Sequence, residues 1–120
     1  MLRDYKKIRV WQAAKKFSVE VYRFTKNFPK EEIYGLTSQL RRAAVSVAAN
    51  IAEGASRQHK RDYLNFLYIA KGSLSETECL LSIALDLNYL KPPEFHHLEG
   101  LSQEVAKSLY GLIKSVESEI

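Results

Sequence analysis

The sequence has few of the features that crosslink small secreted proteins or anchor proteins in membranes. Its 120 residues include a single cysteine, Cys79, so no disulfide can form within the chain. No apolar run approaches the roughly 18 residues that cross a bilayer, and the charged stretch MLRDYKKIRVW lacks the continuous apolar segment of a signal peptide. These absences predict a soluble protein of the reducing cytoplasm with no membrane partner. Because Cys79 lies in the apolar stretch ECLLSIAL, we expect a buried, unreactive thiol.

Local motifs of common catalytic sites are also missing. The chain contains no Gly-x-Ser-x-Gly, no phosphate-binding loop and no His-Glu-x-x-His sequence. Glu94 and His97 have the Glu-x-x-His spacing that di-iron bundles use twice, but here it occurs once, in the first turn of a helix after the proline pair 92–93. His59, in RQHKRD, is interpreted as part of a basic solvated turn. We therefore expect a protein that is not an enzyme and that binds no metal or other cofactor.

Proline and glycine are scarce, which leaves long segments in which apolar residues recur at helical spacing. In the first segment, Val10, Ala14 and Phe17 begin a seam of alternating four- and three-residue steps that ends before Pro29. The predicted helices cover residues 6–28, 36–54, 59–89 and 93–118. Because their connections are short, they fold most simply as an antiparallel up-down-up-down four-helix bundle, a single all-α domain over residues 1–120.

Several residues indicate where these helices begin and end. Thr37 or Ser38 is available as the N-cap of the second helix, and Gly54 as its terminator. The proline pair 92–93 suits the start of the fourth helix. Gly72 lies inside the third helix, where glycine costs roughly 1 kcal/mol relative to alanine. Its presence there suggests the close approach of another helix.

The second helix contains the stretch GLTSQLRRAAVSVAANIAEG, which has small residues on more than one face. Such residues allow close packing on a second side of the helix. The neighbour is either a flanking helix of the same bundle or another copy of the chain. Asn50 and Glu53 are three residues apart and share a face, so we interpret them as structural polar groups that hold loop backbone or an arginine in place.

Charge is distributed unevenly along the chain, although the net charge is only +4. Residues 1–61 contain 14 Lys and Arg against 5 Asp and Glu, a net charge of +9, whereas residues 62–120 contain 4 against 9, a net charge of −5. This asymmetry predicts an anionic partner for the first half, or attraction between the halves within one chain or between copies. Solvated helix faces that differ in charge are the remaining interpretation.

The cations of the first half form candidate nucleic-acid-binding clusters, because lysine and arginine neutralise phosphates and release counterions. The candidate residues are Lys6, Lys7, Arg9, Lys15, Lys16, Arg23, Lys26, Arg41, Arg42, Arg57, Lys60 and Arg61. Tyr5, Trp11 and Tyr22 lie among them and are able to stack on unpaired bases. Packing in the core or at a subunit interface is the alternative, which we favour for Trp11 because it directly follows a seam residue.

The adjacent Arg41 and Arg42 have two interpretations. They either line a shared polar interface, through salt bridges to Glu53 or to the acidic half, or they face a bound ligand.

Three segments, VWQAAKKF, FPKEEIYGLTSQLRRAAVSVAANIAEG and FLYIAKGSLSETECLLSIALDLNYL, resemble the four-helix bundle proteins encoded within intervening sequences of bacterial 23S ribosomal RNA genes. The resemblance spans residues 8–116, and its most specific element is GLTSQLRRAAVSVAANIAEG. Family members often have proline and serine where this chain has Ala48 and Ala49. The resemblance implies an up-down bundle that assembles as a ring-like homopentamer. A related branch serves as accessory proteins of diversity-generating retroelements, where the basic pentamer is associated with a reverse transcriptase and its template RNA.

Charge and resemblance together predict a non-enzymatic, homo-oligomeric and pentameric nucleic-acid-binding protein. RNA is the expected ligand, bound through the basic surface of helices 1 and 2. The alternative is a protein-interaction scaffold, an accessory subunit that docks a partner enzyme such as a reverse transcriptase and has little RNA affinity of its own.

Overall fold

The computed structural model describes residues 3–120, which form an antiparallel up-down-up-down four-helix bundle. The helices are α1 (Arg9–Thr25), α2 (Leu36–Ala55), α3 (Lys60–Asp86) and α4 (Pro92–Ser118), with short 3-10 turns at Tyr5–Lys7 and Lys30–Glu32. No strand occurs between residues 3 and 120. Helix α1 packs against α2 and α4, and α3 packs against the same two helices. The predicted all-α bundle is confirmed.

The apolar seams predicted from spacing form the bundle core. Each helix contributes at least one large side chain with no solvent exposure, namely Phe17, Leu40, Leu67 and Leu98. Complete burial of such a side chain stabilises the fold by about 1.5–3 kcal/mol. Alternating steps of three and four residues keep these side chains on the inner face of each helix. The outer faces are thereby left to polar and surface residues.

Helix α1 is shorter than the predicted range 6–28. Before it, Tyr5–Lys7 forms a separate turn, in which the Asp4 carboxylate accepts a hydrogen bond from the backbone N–H of Lys6 at 3.1 Å. Ile8 then adopts an extended conformation and precedes the first helical residue. This arrangement brings the N-terminal turn against α1 and α2 at one end of the bundle.

Helix α3 ends at Asp86, three residues before the predicted 89. Asn88 has a φ of 63°, a left-handed conformation that asparagine tolerates better than most residues. The chain reverses there, and the backbone N–H of Tyr89 donates to the carbonyl of Ala84 at 2.9 Å. Helix α4 begins at Pro92, within one residue of its predicted start, and the Glu94 carboxylate accepts from the backbone N–H of Lys91 at 2.8 Å.

The predicted caps of α2 are wrong at both ends. The N-cap position is Gly35, and the Glu32 carboxylate accepts from the N–H of Leu36 at 3.1 Å. Thr37 is instead buried inside the helix. At the other end, α2 continues through Gly54 to Ala55, so Gly54 does not terminate it.

Gly54 and Gly72 have the opposite roles from those that their positions suggested. A Cβ at Gly54 would lie 2.7 Å from the Cβ of Phe66, so α2 and α3 approach each other closely at this glycine. A Cβ at Gly72 would meet nothing within 4 Å in the described chain. The expected close approach at Gly72 is therefore wrong within a single bundle.

Cys79 is exposed, which corrects the expectation of a buried thiol. Its neighbours Leu80 and Leu81 face the core, and the helical turn directs residue 79 outward. The apolar residues next to Cys79 in the sequence lie on the inner face of α3, whereas the thiol lies on the outer face.

Flanking helices explain most of the small residues of α2. Ala43 and Ala44 are buried between α1 and α3, whereas Ala49 is exposed. The Ser46 hydroxyl lies 2.9 Å from that of Ser73 on α3, and Asn50 donates to the carbonyl of Ser46 at 2.8 Å. Asn50 is thus a structural polar group, as predicted, but its partners are the backbone carbonyl and the hydroxyl of Ser46.

Candidate nucleic-acid interface

A shallow groove of about 620 Å³ runs along the outer face of α1. We call it the α1 groove. Its lining residues are Lys6, Trp11, Gln12, Lys15, Lys16, Val19, Glu20 and Arg23. Four of the predicted nucleic-acid-binding residues, Lys6, Lys15, Lys16 and Arg23, therefore lie together in one concave surface. Lys16 and Arg23 share one side of α1 with positions 12 and 19, and Lys6 belongs to the turn before the helix.

Trp11 forms the aromatic wall of the α1 groove. Its ring is half-buried and packs against the core, as favoured from sequence, and Tyr5 contacts it edge-on with ring centroids 5.0 Å apart. The ammonium of Lys15 lies over the ring, 5.4 Å from its centroid. The N-terminal turn is held nearby, because the side-chain amide of Gln12 donates to the carbonyl of Lys6 at 2.9 Å.

Glu20 is the one acidic residue of the groove, and its charge is compensated locally. Its carboxylate accepts from the Arg23 guanidinium at 2.9 Å and lies 3.1 Å from Nε2 of His97 on α4. The hydrogen bond with His97, followed by the one from Arg23, lowers the pKa of Glu20 below its ordinary value. Most of the Arg23 side chain, 69%, still faces solvent and remains available to an anion.

Arg41 and Arg42 do not act as a pair. Nε of Arg41 donates to the Thr25 hydroxyl at 2.8 Å, and its guanidinium covers the Tyr22 ring at 4.7 Å. Arg41 therefore fastens α2 to α1. Arg42 points to another side of α2, where it lines a hollow with Glu76 and other residues.

The cations of the turn between α2 and α3 are partly neutralised. Arg57 pairs with Glu53 at 3.6 Å, and Lys60 pairs with Glu119 at 3.0 Å. Arg61 is exposed beside them. Arg3 reaches the same turn and donates to the carbonyl of Arg57 at 2.8 Å. These residues lie at the end of the bundle and outside the α1 groove.

The remaining candidates, Lys7, Arg9 and Lys26, are exposed near the two ends of α1. Arg9 lines a separate groove between α1 and α4 together with Glu104 and Lys107. Sequence reasoning did not single out Gln12, Val19 or Glu20 as part of a site. The steps of four and three residues between positions 12, 16, 19 and 23 are the sequence pattern that places them on the same side of α1 as Lys16 and Arg23.

The Glu-x-x-His pair does not converge on a metal site. Glu94 caps α4 through the backbone of Lys91, while His97 pairs with Glu20 and packs against Phe24. Over the described residues, no group of three or more His, Cys, Asp or Glu side chains is arranged to hold a metal ion. His59 occupies the exposed N-cap position of α3.

A second kind of surface occupies the outer face of α3. It consists of Ile69, Gly72, Glu76, Cys79 and Ile83, all exposed and separated by steps of three and four residues, and it continues to the exposed C-cap residue Leu87. We call it the outer α3 stripe. Ile69, Ile83 and Leu87 are each 44–51% exposed although they are large apolar residues. Throughout residues 3–120, no helix is both long and apolar enough to cross a membrane.

Comparison with known proteins extends these observations. Residues 6–111 match the family model described as 23S rRNA-intervening sequence protein. Among solved structures, the chain is similar to a Bacteroides thetaiotaomicron VPI-5482 protein of unknown function from the S23 ribosomal protein family, with 28% sequence identity and a TM-score of 0.78. That similarity covers 88% of this chain and 98% of the other. No curated protein matches the sequence significantly.

Proposed function

The chain belongs to the family of 23S rRNA-intervening sequence proteins, and we propose that it is a non-enzymatic, homo-oligomeric protein that binds RNA through α1. The family name refers to a gene that interrupts another gene for structured RNA. That association is consistent with an RNA ligand, but the proposal depends on the chain's own residues.

The observation that carries the proposal is the α1 groove. It places Lys15, Lys16 and Arg23 along one side of α1, with Lys6 in the turn before the helix, and its single carboxylate, Glu20, is engaged by Arg23 and His97. A line of exposed cations of this kind attracts a phosphate backbone and gains affinity by counterion release. Because the interaction is with phosphates, we expect modest sequence preference and steep dependence on salt.

The structure leaves fewer of the predicted nucleic-acid-binding residues available as main RNA contacts. Arg41 serves α1–α2 packing, whereas Arg57 and Lys60 lie outside the groove at the end of the bundle and are less exposed than Arg23, at 45% and 46% against 69%. We therefore assign the main RNA contacts to the α1 groove and secondary contacts to the exposed Lys7, Arg9, Lys26, Arg42 and Arg61.

Assembly is the second part of the proposal. Exposed large apolar residues gathered on one face commonly mark an interaction surface, and the outer α3 stripe gathers Ile69, Ile83 and Leu87. We propose that this stripe contacts another copy of the chain, and that the oligomer is the pentamer implied by the family resemblance. Five copies would present five α1 grooves to one RNA, so weak individual sites would bind together. The proposed setting is the cytoplasm.

The proposal is tested by titrating a dye-labelled structured RNA with purified protein at two salt concentrations, while light scattering counts the subunits. The test variant is Lys15→Gln with Lys16→Gln, and the matched control is Lys107→Gln with Lys114→Gln, two exposed lysines on α4. Both double variants carry the same net charge. The slope of log affinity against log salt should decrease by about 1.4 for the α1 variant if single strands are bound, and remain unchanged for the control.

Equal losses in the two variants would show that only net charge matters and would reject the α1 site.

The second candidate function is a protein-interaction scaffold that docks a partner enzyme such as a reverse transcriptase, which the exposed apolar residues of α3 also favour. An oligomer with no measurable RNA affinity at low salt would select that function.

A further inference from the structure

One feature of the α1 groove is not required for binding phosphates. Trp11 lines the groove with an aromatic ring that is half-buried against the core, and the Lys15 ammonium lies over this ring, 5.4 Å from its centroid. Tyr5 supports the ring from its edge, at an interplanar angle of 76°. A purely electrostatic site would need the lysines alone, whereas this one places a supported π surface among them.

We infer that Trp11 is a stacking platform for an unpaired RNA base, and that Lys15, Lys16 and Arg23 hold the adjoining phosphates. This inference rests on the proposed RNA-binding function and deepens it by naming the ligand as a single-stranded segment. An indole stacks on any base because every base has a π face, so the site selects unpaired structure and not sequence.

The charges around Trp11 favour replacement of the Lys15 ammonium by an RNA base. The Lys15 ammonium now covers the ring at 5.4 Å, a distance typical of a cation–π contact. An incoming base can replace the ammonium over the ring, and the flexible lysine side chain then reaches the neighbouring phosphate. Glu20 does not oppose the phosphates strongly, because Arg23 and His97 already hold its carboxylate.

The dimensions of the groove suit a short strand. Trp11 and Arg23 are about 18 Å apart along the helix axis, which accommodates a few nucleotides of an extended strand. Bases within a duplex are stacked on each other and unable to lie on the indole. A duplex would therefore contact only the cations and would lose the contribution of Trp11.

Because Trp11 is the only tryptophan of the chain, its intrinsic fluorescence reports the proposed contact directly. The experiment titrates the full chain with an oligouridylate and with an RNA duplex of equal length, and records both tryptophan quenching and the anisotropy of dye-labelled RNA. We expect strong quenching and tighter binding for the single strand, with little quenching by the duplex. This preference should persist as salt rises, because stacking releases no counterions.

Substitution gives a second measurement. Trp11→Leu should weaken single-strand binding by about 5- to 150-fold, the range for one stacked base, and leave duplex binding nearly unchanged. Trp11→Phe keeps an aromatic face and should restore part of the affinity. The matched control is Tyr110→Leu, which removes an exposed aromatic ring from α4.

The outcomes separate this inference from the proposed function. Equal binding of both RNAs without quenching would overturn the stacking role and leave phosphate binding by α1 intact. Absence of RNA binding at low salt would overturn both. If Trp11→Leu fails to fold, quenching in the unmodified protein still decides the question.

Discussion

The outer faces of α1 and α3 differ in nearly every property, although both helices have the same kind of inner face. The α1 groove is lined by four cations around a tryptophan. The outer α3 stripe has large apolar residues, an exposed thiol and a glycine that no side chain of the described chain approaches. Each helix already buries its own seam, so the exposed cations of α1 and the exposed apolar residues of α3 lie outside the core.

This difference teaches where to look for function in a simple bundle. Inner faces are constrained by packing, so all four helices show the same spacing of apolar residues there. Outer faces are free of that constraint, so a lysine line on one and an apolar stripe on another indicate separate interactions. We assign RNA to the first and a second copy of the chain to the second, and each assignment can be broken independently.

The largest effect is expected from reversing charge in the α1 groove. Lys15→Glu with Lys16→Glu should weaken RNA binding by about 100-fold or more at low salt, because each reversal removes one attraction and adds one repulsion of about 1 kcal/mol in water. Subunit number should not change. Anisotropy and light scattering measure the two quantities, with Lys107→Glu and Lys114→Glu as the control. A simultaneous loss of assembly would mean that α1 is also an interface.

The next effect concerns the outer α3 stripe. Ile83→Asp should shift the oligomer towards monomers, because a buried isoleucine contributes about 1.5–3 kcal/mol to an interface and a carboxylate there is costly. The control is Ile33→Asp, an isoleucine of similar exposure, 49%, in the connection between α1 and α2. Sedimentation analysis measures the shift. An Ile83→Asp protein with the subunit number of the original would remove α3 from the interface.

A smaller effect is expected at Gly54, the α2 residue that lies against Phe66 of α3. Gly54→Ala should lower the free energy of unfolding by about 1–2 kcal/mol, because the new methyl group must displace Phe66 and the penalty of overpacking exceeds the gain in helix propensity. Urea unfolding measures the change. Unaltered or increased stability would show that α2 and α3 separate easily at this point.

Gly72→Ala should act in the opposite direction. A Cβ at this position meets nothing within 4 Å in the described chain, so alanine should stabilise an isolated bundle by up to about 1 kcal/mol. Gly111→Ala on α4 is the matched control, since its Cβ would also be uncontacted. Urea unfolding of the dilute protein tests both. Gly72→Ala with lower stability than the original would contradict the open environment of Gly72.

These glycines also show how far sequence reasoning reaches. Periodicity predicts the four helices and their buried seams, because burial imposes a regular spacing on residues such as Phe17 and Leu40. It does not tell which exposed or small residue meets a neighbour, since that depends on how two helices are rotated and offset. Sequence patterns consequently predict the wrong roles for Gly54 and Gly72 within one bundle and the wrong face for Cys79.

The candidate nucleic-acid interface is likewise predictable from the sequence only in part. Composition alone predicts that cations of the first half matter, and spacing along α1 brings several of them together. The separation of Arg41 from Arg42 follows from helix geometry, because adjacent helix residues point about 100° apart. Which of the two meets α1 is not predictable from the sequence, since the partners of Arg41, Thr25 and Tyr22, come from that other helix. Contacts between helices decide which cations remain available to a ligand.

The smallest effect is expected at Glu20, where the α1 groove meets α4. Hydrogen bonding with His97 and Arg23 lowers the pKa of Glu20 in the folded protein, so its contribution to stability is present above the ordinary carboxyl pKa and is lost as the pH falls through the lowered value. Glu20→Gln should reduce the Tm near neutral pH, and the difference should shrink as the pH falls below the ordinary carboxyl pKa. Calorimetry at the two pH values measures it. An equal difference at both would mean that the Glu20 side chain acts by packing, and the charge compensation that keeps the groove open to phosphates would then need another source.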